Sequence, residues 1–177
     1  RTLKRVRIPY ILDEKNVGKK REFNEKIDNS QSKLSIACCL NGLSEYERNY
    51  VLTLYNVILG GGCDSKLFKE VREENSLCYT VYSVPNKLDN VLIIQAGIDK
   101  DNYEKTVKLI EENMEAMRKG NFNESDISIA REYYLTALEE VLESTDRIID
   151  NYLMKELIGT DTIEMKRVMV GKVEKDE

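Results

Sequence analysis

Two strand-like runs joined by a short polar turn constrain the fold of this chain more than any other feature. "LCYTVYSV" (residues 77–84) is dense in β-branched and aromatic side chains, as pleated strands are. "VLIIQAGI" (91–98) sets Leu92, Ile94, Ala96 and Ile98 on one face at a period of two, and "PNKLDN" lies between the runs. A turn that short closes two antiparallel strands, because a parallel pair needs a crossover of a dozen or more residues. A sheet with one apolar face must then be covered by something, and the rest of the chain supplies helices.

Upstream, "KLSIACCLN" reads as a strand with Leu34, Ile36, Cys38 and Leu40 on one side, and the charged "REFNEKI" suits an edge strand. Ser44 then caps a helix, with Glu47 reaching back as a capping box. Tyr50, Leu54 and Ile58 form its buried stripe, flanked by Val51 and Tyr55. After Gly60–Gly62, Asp64 or Ser65 caps a short helix whose Leu67, Phe68 and Val71 face inward.

Beyond the hairpin comes the most regular helical period of the chain, Tyr103, Val107, Ile110, Met114 and Met117, stopped by Gly120. Asn123 caps a long helix to about Glu143, with Ile127, Ala130, Tyr134, Ala137 and Val141 along one stripe. Thr145 to Ile158 forms another, closed by Gly159, and a short helix follows over 162–170. The order β-β-α-α-β-β-α-α-α predicts an α+β domain: a largely antiparallel sheet with helices packed on one face. Residues 1–19, with Pro9 and many charges, read as a linker or leading arm. Residues 20–177 read as one domain, expected to be a fragment of a longer chain because the sequence opens on Arg1 rather than Met.

Composition removes several chemistries. There is no histidine, so a histidine-ligated catalytic zinc, a Ser-His-Asp triad and a Cys-His dyad are all excluded within this chain. The net charge is −5, with Lys and Arg scattered among Asp and Glu, which argues against nucleic acid as a partner. No apolar run reaches the roughly 18 residues of a membrane span. Cys38, Cys39, Cys63 and Cys78 form no CxxC pair, and read as small buried residues of a reducing, cytoplasmic protein.

The stretch with the most chemistry is "GGGCDSKLFKEVREENSLCY", residues 60–79. One glycine past a helix can take the left-handed conformation without a Cβ clash. Three imply a tight reversal in which backbone passes close to something. Arg72 and Tyr79 follow seven positions apart. The plain reading is that Arg72 pairs with Glu73 or Glu74 and that Tyr79 is half-buried packing.

"LGGGCDSKLFKEVREENSLCYTVYS" resembles the zinc-less, C-terminal-type domain of the pitrilysin/insulinase peptidases, the inverzincins, which include the mitochondrial processing peptidases. The resembling positions are the glycine-rich loop, Ser65, Leu67, Phe68, Val71, Arg72 and Glu73 of a short helix, and Leu77 and Tyr79 of the strand after it. The likeness continues through "IQAGIDKDNYEKTVKLIEENMEAMRKGNFNESDISIAREYY" and spans residues 30–160, with "YTVYS" nearest to bacterial two-subunit members. It implies an antiparallel sheet of about half a dozen strands backed by helices, and a chamber closed around an unfolded peptide. Zinc would belong to a partner domain or subunit of the same family, in a homo- or heterodimer, and this chain alone would be inactive. Arg72 and Tyr79 would complete the catalytic site by stabilising the oxyanion of the attacked peptide bond. Gly60, Gly61, Gly62 and Ser65 would handle substrate, or merely turn one helix into the next. A catalytically inactive structural or peptide-binding subunit is the alternative.

Overall fold

The computed structural model describes residues 18–175 of the 177-residue chain, so most of the expected leading arm, 1–19, lies outside the described residues. The fold is α+β. Strands β1 (Ser32–Cys39), β2 (Cys78–Asn86) and β3 (Val91–Ile98) make one antiparallel sheet in the order β1-β3-β2. Its helices are α1 (Leu52–Gly60), α2 (Tyr103–Arg118), α3 (Glu124–Leu142), α4 (Thr145–Ile158) and α5 (Ile163–Val170). Two stretches are wound more loosely as π-helix: Glu47–Val51, which leads into α1, and Phe68–Glu74.

The period of two sorts the sheet into unlike faces. Leu34, Leu92, Ile94, Ala96, Ile98, Cys78 and Val81 are buried against Leu54, Ile58 and Leu59 of α1, Leu67 and Val71, and Ile110 and Met114 of α2. Among the described residues no helix covers the opposite face. Register there sets Ser35 opposite Gln95 and Gln95 opposite Tyr82, then Ala37 opposite Ile93 and Ile93 opposite Val84. Tyr82 and Val84 are exposed on it.

Several caps form as their sequences dictate. Ser44 and Glu47 exchange bonds, Ser44 N–H to Glu47 Oε2 at 2.7 Å and Glu47 N–H to Ser44 Oγ at 3.2 Å. Asn123 and Asp126 close a capping box at α3, and Gly159 ends α4 at φ 72.

Other expectations are corrected. Residues 21–27 do not form an edge strand; they run as exposed coil, with Phe23 87% exposed. Side chains tie this stretch to α2 instead: Lys20 Nζ donates to Glu111 at 2.7 Å, and Tyr103 donates its hydroxyl proton to Glu22 at 2.9 Å. Tyr103 is exposed rather than part of the buried stripe, and Thr106 and Asn113 are buried along with Ile110, Met114 and Met117. Among the described residues the sheet has three strands rather than about half a dozen. Phe68 is only half-buried, and on α3 Ile127 and Ala130 are buried as expected, whereas farther along Leu138 is buried and Ala137 only half-buried. The cysteines are free but not all buried: strand alternation sends Cys38 inward and Cys39 outward, Cys63 sits on an exposed turn, and only Cys78 is buried.

Candidate functional site at the start of strand β2

The π-helical stretch is joined to β2 by backbone bonds. Ser76 N–H donates to Arg72 O and Leu77 N–H to Val71 O, each at 3.0 Å, with Ser76 itself left-handed at φ 51. These bonds join the turn that carries Arg72 to the start of the strand that carries Cys78 and Tyr79. Cys78 pairs with Ile98 and Thr80 with Gly97, so Tyr79 is the extra residue of a β-bulge. A bulge breaks the alternation of side chains and re-aims one of them. Tyr79 and Thr80 are consequently both exposed, although they are neighbours on a strand.

Tyr79 is therefore not packing. Its ring is 53% exposed, and its hydroxyl donates to Asp99, 3.1 Å from each carboxylate oxygen. That hydrogen bond, together with the charge of Asp99, raises the phenol above its ordinary pKa. The hydroxyl keeps its proton and stays a donor. Asp99 comes from the residue just after β3, and no sequence motif marked it. Pairing the hairpin by register approaches it, but the bulge decides the contact.

Arg72 lies flat over the Phe68 ring, its guanidinium carbon 4.6 Å from the centroid, and its Nε is 3.5 Å from Glu73. Arg72 thus pairs with Glu73, one of the two carboxylates that the plain reading named. Its side chain is 42% exposed, so the pair is solvent-screened and worth little stability. The guanidinium also acts on Cys78, partly offsetting the rise that burial imposes on the thiol.

The glycine loop works by close approach rather than by left-handed backbone: Gly61 has φ −84. A Cβ on Gly60 would stand 2.7 Å from Ser83 Oγ and 2.9 Å from Ser83 N, in the middle of β2. Gly60 is buried, and Ser65, 2% exposed, donates to Gly62 O at 2.5 Å. Phe68 N–H in turn donates to Ser65 Oγ at 3.4 Å, so Ser65 caps the π-helical stretch. Gly61 and Gly62 are half-exposed, Gly62 beside the Tyr133 ring.

The chain matches the family model described as the peptidase M16 inactive domain over residues 4–134. It belongs to that family. It is 34% identical over 127 residues to a probable inactive metalloprotease, YmfF, of Bacillus subtilis (strain 168), covering 71% of this chain and 29% of the relative. It is 29% identical over 103 residues to an uncharacterized zinc protease, YmxG, of the same organism, covering 57% and 25%. A crystal structure of a conserved protein from Enterococcus faecalis V583 superposes with a TM-score of 0.75 at 26% identity, over 84% of this chain and 35% of that one. The chain thus spans between a quarter and about a third of these relatives' length. It is an inactive-type domain of the zinc protease family.

Its own residues do not fit a zinc ion. There is no histidine, and among the described residues no group of three or more cysteine or carboxylate side chains converges. No helix among them is long and apolar enough to cross a membrane.

Proposed function

We propose that this domain is the zinc-less half of a peptidase. It closes a chamber over an extended peptide and offers Tyr79 and Arg72 to the carbonyl oxygen that becomes negative as the peptide bond is attacked. The observation that carries this reading is Tyr79 itself: a protonated hydroxyl, raised on a bulge, at the start of a strand whose outer face no helix covers among the described residues. A bulged, exposed tyrosine with a carboxylate holding its hydroxyl has no packing role that would explain it. Asp99 keeps the O–H oriented at rest, and productive use turns it from that carboxylate to the oxyanion. Arg72 brings a permanent charge from the adjoining turn of helix.

A zinc-bearing domain or subunit of the same family is the partner, and unfolded peptide is the substrate. Gly60 and Ser65, being buried, act in substrate handling by shaping the loop, leaving Gly61 and Gly62 as backbone a peptide can reach. Exposed free thiols at Cys39 and Cys63 suit a reducing compartment, and we place the domain in the cytoplasm.

A second reading has its own support. Arg72 and Tyr79 already hold Glu73 and Asp99, and the relative YmfF bears the name of a probable inactive metalloprotease. The domain would then bind peptide or brace a complex without taking part in chemistry. Turnover of a peptide by the chain reassembled with its zinc-bearing partner separates the two. Tyr79→Phe removes one hydroxyl, so folding and assembly hold while turnover falls by about 10²–10³. Arg72→Ala does similar harm, and the double variant loses less than the sum because both groups serve one oxygen. Wild-type rates in variants that assemble normally would establish the inactive-subunit reading.

A further inference from the structure

A second polar site lies at the other end of β2, within the helical layer. A cavity of about 310 Å³ opens between the turn entering α1, the β2–β3 turn, and α3, α4 and α5. That volume is at the lower end of the range for small-molecule sites. Lys87 reaches into it from the β2–β3 turn and Lys166 from α5. Strand rise puts Lys87, eight positions beyond Tyr79, roughly 26 Å along β2 from it. The two sites are separate.

Both lysines in this cavity are hydrogen-bonded to neutral oxygens. Lys87 Nζ donates to Asn49 O and Thr53 Oγ1, both at 3.0 Å and both neutral. Lys166 Nζ donates to Asn151 Oδ1 at 2.8 Å. An ammonium has three donors, so each retains at least one. Among the described residues neither is hydrogen-bonded to a carboxylate, for Asp161 accepts from the Tyr50 hydroxyl instead. Thr160 Oγ1, also on the wall, is buried without any partner. Burial draws Lys87 down to about 8, helped by the charge of Lys166, and lowers Lys166 as well against the pull of Asp161. Two part-buried cations with open donors, next to an orphan hydroxyl, leave room for an anionic ligand to bond them directly.

The walls narrow its class. Tyr134 and Met154 present apolar surface, which suits a carbon body. Asp150 and Asp161 also line the cavity and would repel a dianion more than a monoanion. We propose that this cavity binds a small organic monocarboxylate, its carboxylate held between Lys87 and Lys166 and its body against Tyr134 and Met154.

Calorimetric titration of the purified chain with N-acetylalanine, against sodium chloride at equal ionic strength, tests this directly. Saturable one-to-one binding is expected, with Kd on the order of 1 mM. Lys87→Met and Lys166→Met should each weaken it at least about tenfold, one charge-assisted contact being worth that much. Each variant is first checked for a cooperative melt; Lys166 is on a short surface helix, so its replacement keeps the test open if Lys87→Met does not fold. Lys108→Met, an exposed lysine that pairs with Glu112 on α2, should change nothing. The neutral amide N-acetylalaninamide and inorganic phosphate are the contrasting probes. The proposal is overturned by no saturable signal beyond chloride, by the amide binding equally well, by phosphate binding more tightly, or by undiminished affinity in both cavity variants.

Discussion

The two ends of β2 hold ionisable side chains in opposite surroundings, and their protons respond in opposite ways. At the start, Tyr79 stands in water on a bulge, and the Asp99 carboxylate raises its pKa. At the end, Lys87 is tucked under helices among neutral acceptors, and burial lowers its pKa to about 8. The exposed group is controlled by one hydrogen bond to a charge, the enclosed one by loss of water. An exposed site can be retuned by replacing its single partner. An enclosed one responds to whatever fills the cavity. The contrast is between a donor held by one carboxylate and a cation held by neutral acceptors alone.

The largest perturbation should come from the middle, where both ends share one strand. Gly60→Ala places a methyl group 2.9 Å from the Ser83 backbone nitrogen, which cannot rotate away. Overpacking of this kind costs about 1–3 kcal/mol, read as a lower urea midpoint at unchanged slope. An unchanged midpoint would show that α1 yields and that β2 is not pinned there.

A smaller effect separates the two ends by pH. Between its folded value of about 8 and its ordinary 10.5, Lys87 is protonated in the unfolded chain but not in the folded one. Lys87 therefore adds stability as pH rises from about 8, by at most about 1.4 kcal/mol per unit, opposed from near 9 by the raised thiols of Cys38 and Cys78 and from near 10 by the phenols. Lys166 adds a slope of the same sign, while the raised Tyr50 and Tyr134 on the same wall oppose it only above that point. Lys87→Met should flatten most of the slope in thermal melts taken across this range. A slope unchanged in the variant would assign it to Lys166.

The smallest change belongs to the exposed end. Asp99→Asn removes the charge that raises Tyr79, so one phenol should titrate closer to the ordinary value in an ultraviolet difference titration, with Tyr79→Phe identifying it. A raised folded value means that the contribution of this contact is present below the ordinary phenol pKa and is lost as pH rises through the folded one. At so exposed a position the change in melting should be slight. Superimposable titrations would leave Tyr79 without Asp99 as its partner.

Much of this was legible from local pattern. Alternation in "VLIIQAGI" fixed which face of β3 is buried, and Ser44 with Glu47 and Asn123 with Asp126 cap their helices because those groups need only their own neighbours. Local pattern also misled in places. "REFNEKI" alternates, yet without a strand to pair it is held by side chains on α2. Gly60–Gly62 suggested left-handed backbone, whereas Gly60 answers to Ser83, a residue far along the chain.

The sequence by itself determined the class of fold and, having no histidine, excluded a histidine-ligated zinc within this chain. Each of these depends on residue type or on periodicity over a few turns. Only the tertiary structure decided that Tyr79 sits on a bulge facing Asp99, that Arg72 rests on Phe68, and that Lys87 and Lys166 share one cavity. The bulge depends on the register of β2 against β3, and the cavity on five segments between residues 49 and 166 packing together. Hydrogen bonding and desolvation act through distance in space, and the order of residues along the chain does not contain that distance.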